Sequence, residues 1–227
     1  EDHFRIALDL ARREGLGSKT PGIQNNLGLV RYAQGRYEEA VQLYRSAWEE
    51  EVKAGDVQSA AQSLGNIASV YLSWSRFPES EQAYRQALDS FQKAGDVPNV
   101  VNTRLNLGIL YTSWARYAEA RTALEQGLEE ARRLGLRQSE AYGLASLGRV
   151  HYATGQYDLA EQAYLGALRI DTDLDLRLNV ISVTLGLGTV YQAWGRTDLA
   201  LQSYRGARSD AEELGIPGLD RHEAEGD

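Results

Sequence analysis

Cysteine and methionine are both absent from the 227 residues, and histidine occurs 3 times. Without cysteine there is no disulfide, no thiolate metal site and no cysteine nucleophile. Two of the histidines, His3 and His222, lie near the ends, which leaves His151 as the one imidazole inside the chain. Proline is down to 4, so the turns fall mainly to the 22 glycines. No apolar run approaches the roughly 18 residues of a membrane span. The start, Glu1-Asp2-His3-Phe4-Arg5, has neither the basic nor the apolar stretch of a signal peptide. Clustered positive charge is missing as well: 24 Lys+Arg are scattered rather than gathered in stripes, against 32 Asp+Glu, for a net charge of -8. A nucleic-acid surface needs grouped Lys and Arg to displace counterions. These absences predict a cytoplasmic chain with no cofactor, no direct nucleic-acid partner and no membrane contact. What remains, 43% hydrophobic and 25% charged, is the composition of an ordinary folded protein.

What is present is a repeat. Leu27-Gly28, Gly35-Arg36-Tyr37, Ala40, Tyr44 and Ala47 return 40 residues later as Ile67-Ala68, Ser75-Arg76-Phe77, Ser80, Tyr84 and Ala87. The third copy is Leu107-Gly108, Ala115-Arg116-Tyr117, Ala120, Leu124 and Gly127, and the fourth is Leu147-Gly148, Gly155-Gln156-Tyr157, Ala160, Tyr164 and Ala167. The fifth is Leu187-Gly188, Gly195-Arg196-Thr197, Ala200, Tyr204 and Ala207. A fixed period without insertions is the signature of stacked supersecondary units.

Each copy holds two helical stretches. The first runs over about 17–34 in copy one and shows a stripe at i, i+4, i+7, as in Leu107, Tyr111, Trp114 or Leu187, Tyr191, Trp194. The second starts near Tyr37 and ends at Gly55, and Gly95, Gly135 and Gly215 repeat that stop. Asp56 and Asp96 suit the N-caps of the helices that follow, and Pro21, Pro78 and Pro98 fall near helix starts. The expected division is repeats at 17–56, 57–96, 97–136, 137–176 and 177–216. Ahead of them, 1–16 reads as the second helix of a truncated repeat, because Phe4, Ala7 and Leu8 lie one period before Tyr44, Ala47 and Trp48. A polar tail follows at 217–227. Together with the missing Met, this half-repeat predicts that the chain is cut from a longer array.

The pattern Leu-Gly, Tyr, Gly-Arg-Tyr, Ala, Tyr, Ala resembles the tetratricopeptide repeat (TPR) in its longer, 40-residue version. The Ala-Gly-Asp linkers at 54–56 and 94–96 are similar to those of the LGN/Pins spindle-orientation adaptors, kinesin light chains and bacterial TPR regulators. The resemblance implies an all-α solenoid of antiparallel helix hairpins forming a right-handed superhelix. It further implies that the first helices line an inner groove that grips peptides or partner helices.

Helix geometry places that face without the family. With Leu107, Tyr111 and Trp114 inward, residues 102, 106, 109 and 113 point the other way at about 100° per residue. Copy by copy the outward stripe reads Gly22, Asn26, Leu29, Ala33; Gln62, Asn66, Ser69, Ser73; Asn102, Asn106, Ile109, Ser113; Tyr142, Ser146, Arg149, Ala153; and Ser182, Gly186, Thr189, Ala193. It is small, polar and nearly uncharged, unlike a solvated face, so it is expected to be packed against by something. Asn26, Asn66 and Asn106 form a ladder whose amides offer both a donor and an acceptor to a peptide backbone; the alternative is that they only bond neighbouring helices. Arg149 can pair a partner's carboxylate or simply be solvated. The candidate peptide-binding set is Asn26, Gln62, Asn66, Asn102, Asn106, Tyr142 and Arg149. A carboxylate clamp of the chaperone-binding kind needs several basic residues on the stripe, and they are absent.

Trp74, Trp114 and Trp194 read as core rather than as ligand-stacking residues, as do Tyr71, Tyr111 and Tyr191, with His151 a packed substitute at the matching position. Asp171-Thr172-Asp173-Leu174-Asp175 starts like a calcium loop but lacks the glycine and glutamate that such a loop requires. Gly186-Leu187-Gly188 lacks the third glycine of a nucleotide fingerprint. Glu49-Glu50-Glu51 and Glu129-Glu130 read as solvated outer faces. No nucleophile–base or metal constellation stands out, so the expectation is a non-catalytic protein-interaction scaffold that binds a peptide or partner helix in the concave groove. The alternative is a sensor or oligomerisation segment of a larger multidomain regulator, with homodimers formed through an exposed solenoid end.

Overall fold

The structure is a computed structural model that describes residues 19–216 together with Ile6, Leu10 and Arg13. Phe4, Ala7, Leu8 and the tail at 217–227 lie outside the described residues; Ile6, Leu10 and Arg13 are helical and exposed. Among the described residues there are ten helices and no strand: α1 Thr20–Ala33, α2 Tyr37–Ala54, α3 Val57–Ser73, α4 Phe77–Ala94, α5 Val97–Ser113, α6 Tyr117–Arg133, α7 Arg137–Ala153, α8 Tyr157–Asp173, α9 Arg177–Ala193 and α10 Thr197–Glu213. The chain divides into two compact units with the boundary between Trp114 and Ala115. In the first, each helix from α1 to α5 packs on the next; in the second, the same holds from α6 to α10.

The turns explain the regularity. Residues 35, 55, 75, 95, 115, 135, 155, 175, 195 and 215 all have positive φ, between 54° and 76°. One left-handed residue therefore falls every twenty positions, and each closes the preceding helix. The amide beyond it reaches back to a helix carbonyl, as in Arg36 N to Arg31 O at 2.9 Å, Asp56 N to Glu51 O at 2.9 Å and Arg196 N to Tyr191 O at 2.8 Å. These six-to-one bonds are the Schellman pattern, which satisfies carbonyls that a helix end leaves orphaned. The next helix then starts at once, because the Arg36 carbonyl already accepts from Ala40 N at 3.0 Å. Asp56 caps α3 by accepting from Ser59 N at 3.0 Å, and Asp96 caps α5 through Asn99 N at 3.3 Å, as the linkers suggested.

Small residues let the helices of a pair close on one another. Ala40, Ala47, Ala87, Ala160 and Ala167 have no accessible surface at all. The Leu-Gly pair has a similar role: a Cβ at Gly28 would come within 2.9 Å of the Tyr44 ring, and one at Gly148 within 3.0 Å of the Tyr164 ring. Tyr44, Tyr164 and Tyr204 thus lie against the bare backbone of their own first helices, 16 residues earlier.

Three sequence expectations change here. Glu51 is not on a solvated face; it is 4% exposed and accepts from Ser63 Oγ at 2.7 Å and Asn25 Nδ2 at 3.2 Å, joining α2 to α1 and α3. Its position faces the helix of the next copy, a geometry that the run of three glutamates conceals. The tryptophans sit at the rim rather than in the core: Trp74 is 37% exposed, and Trp114 and Trp194 are half-buried. Each caps a first helix beside the open turn, where its ring packs on the opening aromatic of the previous second helix; the centroid separations are 6.2 Å for Trp74–Tyr37, 5.8 Å for Trp114–Phe77 and 6.2 Å for Trp194–Tyr157. Ser146, on the outward stripe, is buried, and its hydroxyl donates back to the Tyr142 carbonyl at 2.8 Å.

Two predictions follow from this architecture. Ser75 holds φ +58° without glycine's freedom, so Ser75→Gly is expected to raise stability in urea denaturation by about 0.5–1 kcal/mol, the left-handed penalty less the entropy cost of glycine. A neutral or negative change would show that its turn is not strained. Burial raises the Glu51 carboxyl above its ordinary 4.5, with the Ser63 and Asn25 bonds partly opposing. Folding therefore favours its protonated form, and its contribution to stability is lost as pH rises through the folded pKa. Glu51→Gln should then gain stability relative to the parent between pH 4.5 and pH 7; a pH-independent difference would count against burial of a charge.

Candidate functional site

The outward stripe lies where helix geometry puts it, with Ser146 the exception. In the first unit Asn26, Gln62, Asn66 and Asn102 are exposed and Asn106 is half-buried. The neighbouring face of α1 and α3 is joined by side chains: Asn25 Nδ2 donates to Ser63 Oγ at 3.1 Å, and the Tyr32 and Ser73 hydroxyls meet at 2.8 Å. The asparagines one residue further round are thereby held at a fixed spacing.

In the second unit the same stripe opens into a cavity of about 410 Å³, which Tyr142 and Arg149 both line. It lies between α7 and α9, which touch directly, and its floor is Tyr164 of α8. A Cβ on Gly186 would come within 2.9 Å of the Tyr164 ring on one side, and one on Gly148 within 3.0 Å on the other. The ring is thus clamped between two helices that are both bare at the point of contact. At the ladder position this unit has Ser146 and Gly186 where the first unit has Asn26, Asn66 and Asn106, so shorter side chains leave the space open.

The polar groups of the cavity are unevenly partnered. Tyr164 is buried, and desolvation pushes its hydroxyl up to about 12, with the Arg149 charge opposing. Burial also raises the Tyr142 hydroxyl, again against Arg149, although the Tyr142 side chain as a whole is 45% exposed. Asp171, 2% exposed, accepts from Asn179 Nδ2 at 3.2 Å, and desolvation raises its carboxyl. Nothing in the sequence singled out Asp171 except the calcium-loop test it failed. The usable signal was periodic: it occupies the same place in its copy as Glu51. The remaining imidazole, His151, is engaged by Gln156, Nδ1 to Oε1 at 2.7 Å. Among the described residues no group of three or more His, Asp or Glu side chains can hold a metal ion, and no helix is long and apolar enough to cross a membrane.

Tetratricopeptide-repeat family models match residues 22–49, 51–133 and 139–213. The chain belongs to the tetratricopeptide-repeat family. No curated protein matches it in sequence. Among solved structures it is similar to BtubC (BKLC) from P. vanneervenii, at 21% identity and TM-score 0.74, covering 95% of this chain and 89% of that one. A Rap protein complexed with competence and sporulation factor aligns at 21% identity and TM-score 0.78, over 94% of this chain and 64% of that one. NprR in complex with its cognate peptide NprX aligns at 20% identity and TM-score 0.72, over 91% and 61%. This TPR chain spans less than two thirds of the length of the last two. At these identities the likeness is one of fold.

The clamp on Tyr164 gives a prediction. Gly186→Val drives branched methyls into the ring and should lower stability by about 1–3 kcal/mol. In a Tyr164→Ala background most of that loss should vanish, since the two residues touch. Additive losses in the double-mutant cycle would remove Tyr164 as the floor of the cavity.

Proposed function

We propose that this TPR chain is a non-catalytic protein-interaction scaffold that binds an extended peptide segment along the face presented by the first helices of each unit. The observation that carries the reading is the outward stripe: exposed, small, polar and almost free of Glu, Lys and Arg over Asn26, Gln62, Asn66 and Asn102 in the first unit, with Tyr142 and Arg149 beside the cavity in the second. A solvated helix face keeps long charged side chains, and the outer helices of this chain do so, with Arg36–Glu39, Arg85–Glu81 and Lys93–Asp89 pairs on α2 and α4. Such pairs add little stability; they mark a surface left to water. Asn26, Gln62, Asn66, Asn102 and Asn106 supply amide donors and acceptors for a peptide backbone, and a main-chain contact of this kind is tolerant of sequence. The family, and the similarly folded Rap regulator of plasmid pLS20 and NprR, each solved with a peptide, support a peptide partner over a small-molecule one. The reading includes a cytoplasmic setting, with neither nucleic acid nor membrane in direct contact.

The test is selection of a displayed library of random peptides on the chain, followed by hydrogen exchange with a selected peptide bound. Protection should fall on α3, α7 and α9 and leave α2 and α4 unchanged. Asn66→Ala combined with Asn106→Ala should weaken binding about tenfold, ~1.4 kcal/mol, with helicity and melting preserved. Protection confined to the second helices, or unchanged affinity in the double variant, sinks the assignment.

A further inference from the structure

The cavity of the second unit contains two charged groups, one with no hydrogen bond or ion pair among the described residues and one held there only by Asn179. Arg149 makes no hydrogen bond or ion pair with any described residue, whereas Arg137 of the same helix is held by Asp173 at 3.0 Å and Arg177 of α9 by Glu213 at 2.6 Å. The Tyr164 hydroxyl likewise has no partner among the described residues. At the matching place in other copies, Tyr84 meets Ser69 Oγ at 2.9 Å and Tyr204 meets Gln192 Oε1 at 2.9 Å. Where Ser69 stands in copy two, copy four has Arg149 itself.

Asp171 is the second group. Three periods of 40 separate it from Glu51, so the two acids hold one repeat position, and both are buried. Glu51 is answered by Ser63 and Asn25. The corresponding residues around Asp171 are Val183 and Ala145, both of which line the cavity. The acid is present and its two partners are replaced by apolar side chains, leaving Asn179 as its one side-chain hydrogen-bonding neighbour among the described residues. A buried carboxylate costs several kcal/mol unless it is paired, and the space beside this one is empty of protein.

We propose that this cavity takes a dipolar stretch of peptide, with a Lys, Arg or α-amino cation on Asp171 and a carboxylate on Arg149. The proposal rests on the peptide-binding reading above and names the chemistry that the second unit selects. Asp171 is in the last turn of α8, level with the first turns of the antiparallel α7 and α9, whereas Arg149 is near the far end of α7. At 1.5 Å rise per residue the two ends lie roughly 12–15 Å apart along the helices, a span that about three to five extended residues cover. The 410 Å³ volume falls within the range of about 300–1,000 Å³ usual for ligand pockets. Asn179, beside Asp171, and Tyr164, against Gly148 next to Arg149, both line the cavity and offer hydrogen-bonding groups to the backbone.

The test uses the same displayed random-peptide library, panned in parallel on the parent chain, on Arg149→Gln and on Asp171→Asn. Peptides enriched on the parent should carry Lys or Arg and Asp or Glu separated by about two to four residues. Arg149→Gln should lose the Asp/Glu preference alone, and Asp171→Asn the Lys/Arg preference alone. For one selected peptide, Asp171→Asn should weaken binding tenfold or more, and exchanging the peptide's Lys for Gln should abolish that difference. Enriched peptides without the charge pair would overturn the proposal while leaving peptide binding intact; failure to enrich any peptide would overturn both. Arg149 is exposed and unpartnered, so its arm decides even where Asp171→Asn melts early: an Asp/Glu preference that survives Arg149→Gln refutes the assignment.

Discussion

A left-handed residue every twenty positions is the constraint on which everything else depends. It stops each helix after 14 to 18 residues, reverses the chain within two residues and starts the next helix with its first carbonyl already bonded. Because each helix and its turn together take twenty residues, a given position recurs at the same place in every copy. Side-chain chemistry can then be exchanged copy by copy without disturbing the backbone. Ser75, Ala115 and Asp175 show how firm the constraint is, since they adopt φ of 58°, 58° and 54° although they lack glycine's freedom. The neighbouring helices over-determine the turn, and the local penalty of about 1–2 kcal/mol is absorbed.

Inside that frame the joints are of two kinds. Within a pair, a tyrosine ring lies on a glycine or alanine of the first helix, which is why small residues recur where a helix would otherwise favour longer ones. Between pairs in the first unit, a polar knot does the work: Glu51 is bonded by Ser63 and Asn25, while Gln24 donates to Ser46 Oγ at 2.8 Å nearby. Buried, hydrogen-bonded polar groups of this sort fix register at some cost in stability. One atom of that knot, the Gln24 Oε1, is buried without a partner among the described residues.

Most of this architecture was legible in the sequence because the repeat reports on itself. The Gly stops, the Asp caps, the inward Tyr71, Tyr111 and Tyr191 and nearly all of the outward stripe followed from spacing alone. What was not legible depends on neighbours in space. A tryptophan at the end of an apolar stripe reads as core, but the stripe ends at the turn, where only one side of the ring is covered. A glutamate within a run of three reads as solvated, but one in three or four positions of a second helix faces the next copy. Ser146 reads as outward until its hydroxyl turns back to the Tyr142 carbonyl. The sequence also placed Tyr142 and Arg149 on one face without showing that Asp171, from the adjacent second helix, completes the same cavity.

The two buried acids show how such a fold acquires a site. Glu51 and Asp171 hold one repeat position; in the first unit the surrounding residues satisfy the acid and close the joint, and in the second they do not. Exchanging Ser and Asn for Val and Ala removes hydrogen bonds, shortening Glu to Asp draws the carboxylate back, and reducing the ladder residue to Ser146 and Gly186 opens the space in front of it. Each change alone would be a modest defect in packing. Together they convert a structural joint into a recess with a buried negative group, a free tyrosine hydroxyl and an unpaired guanidinium. Such a recess is unfavourable when empty, because a buried carboxylate with one neutral neighbour keeps part of its desolvation cost. A ligand that supplies the missing cation recovers that cost on binding, so the same substitutions that weaken the joint supply part of the driving force for recognition.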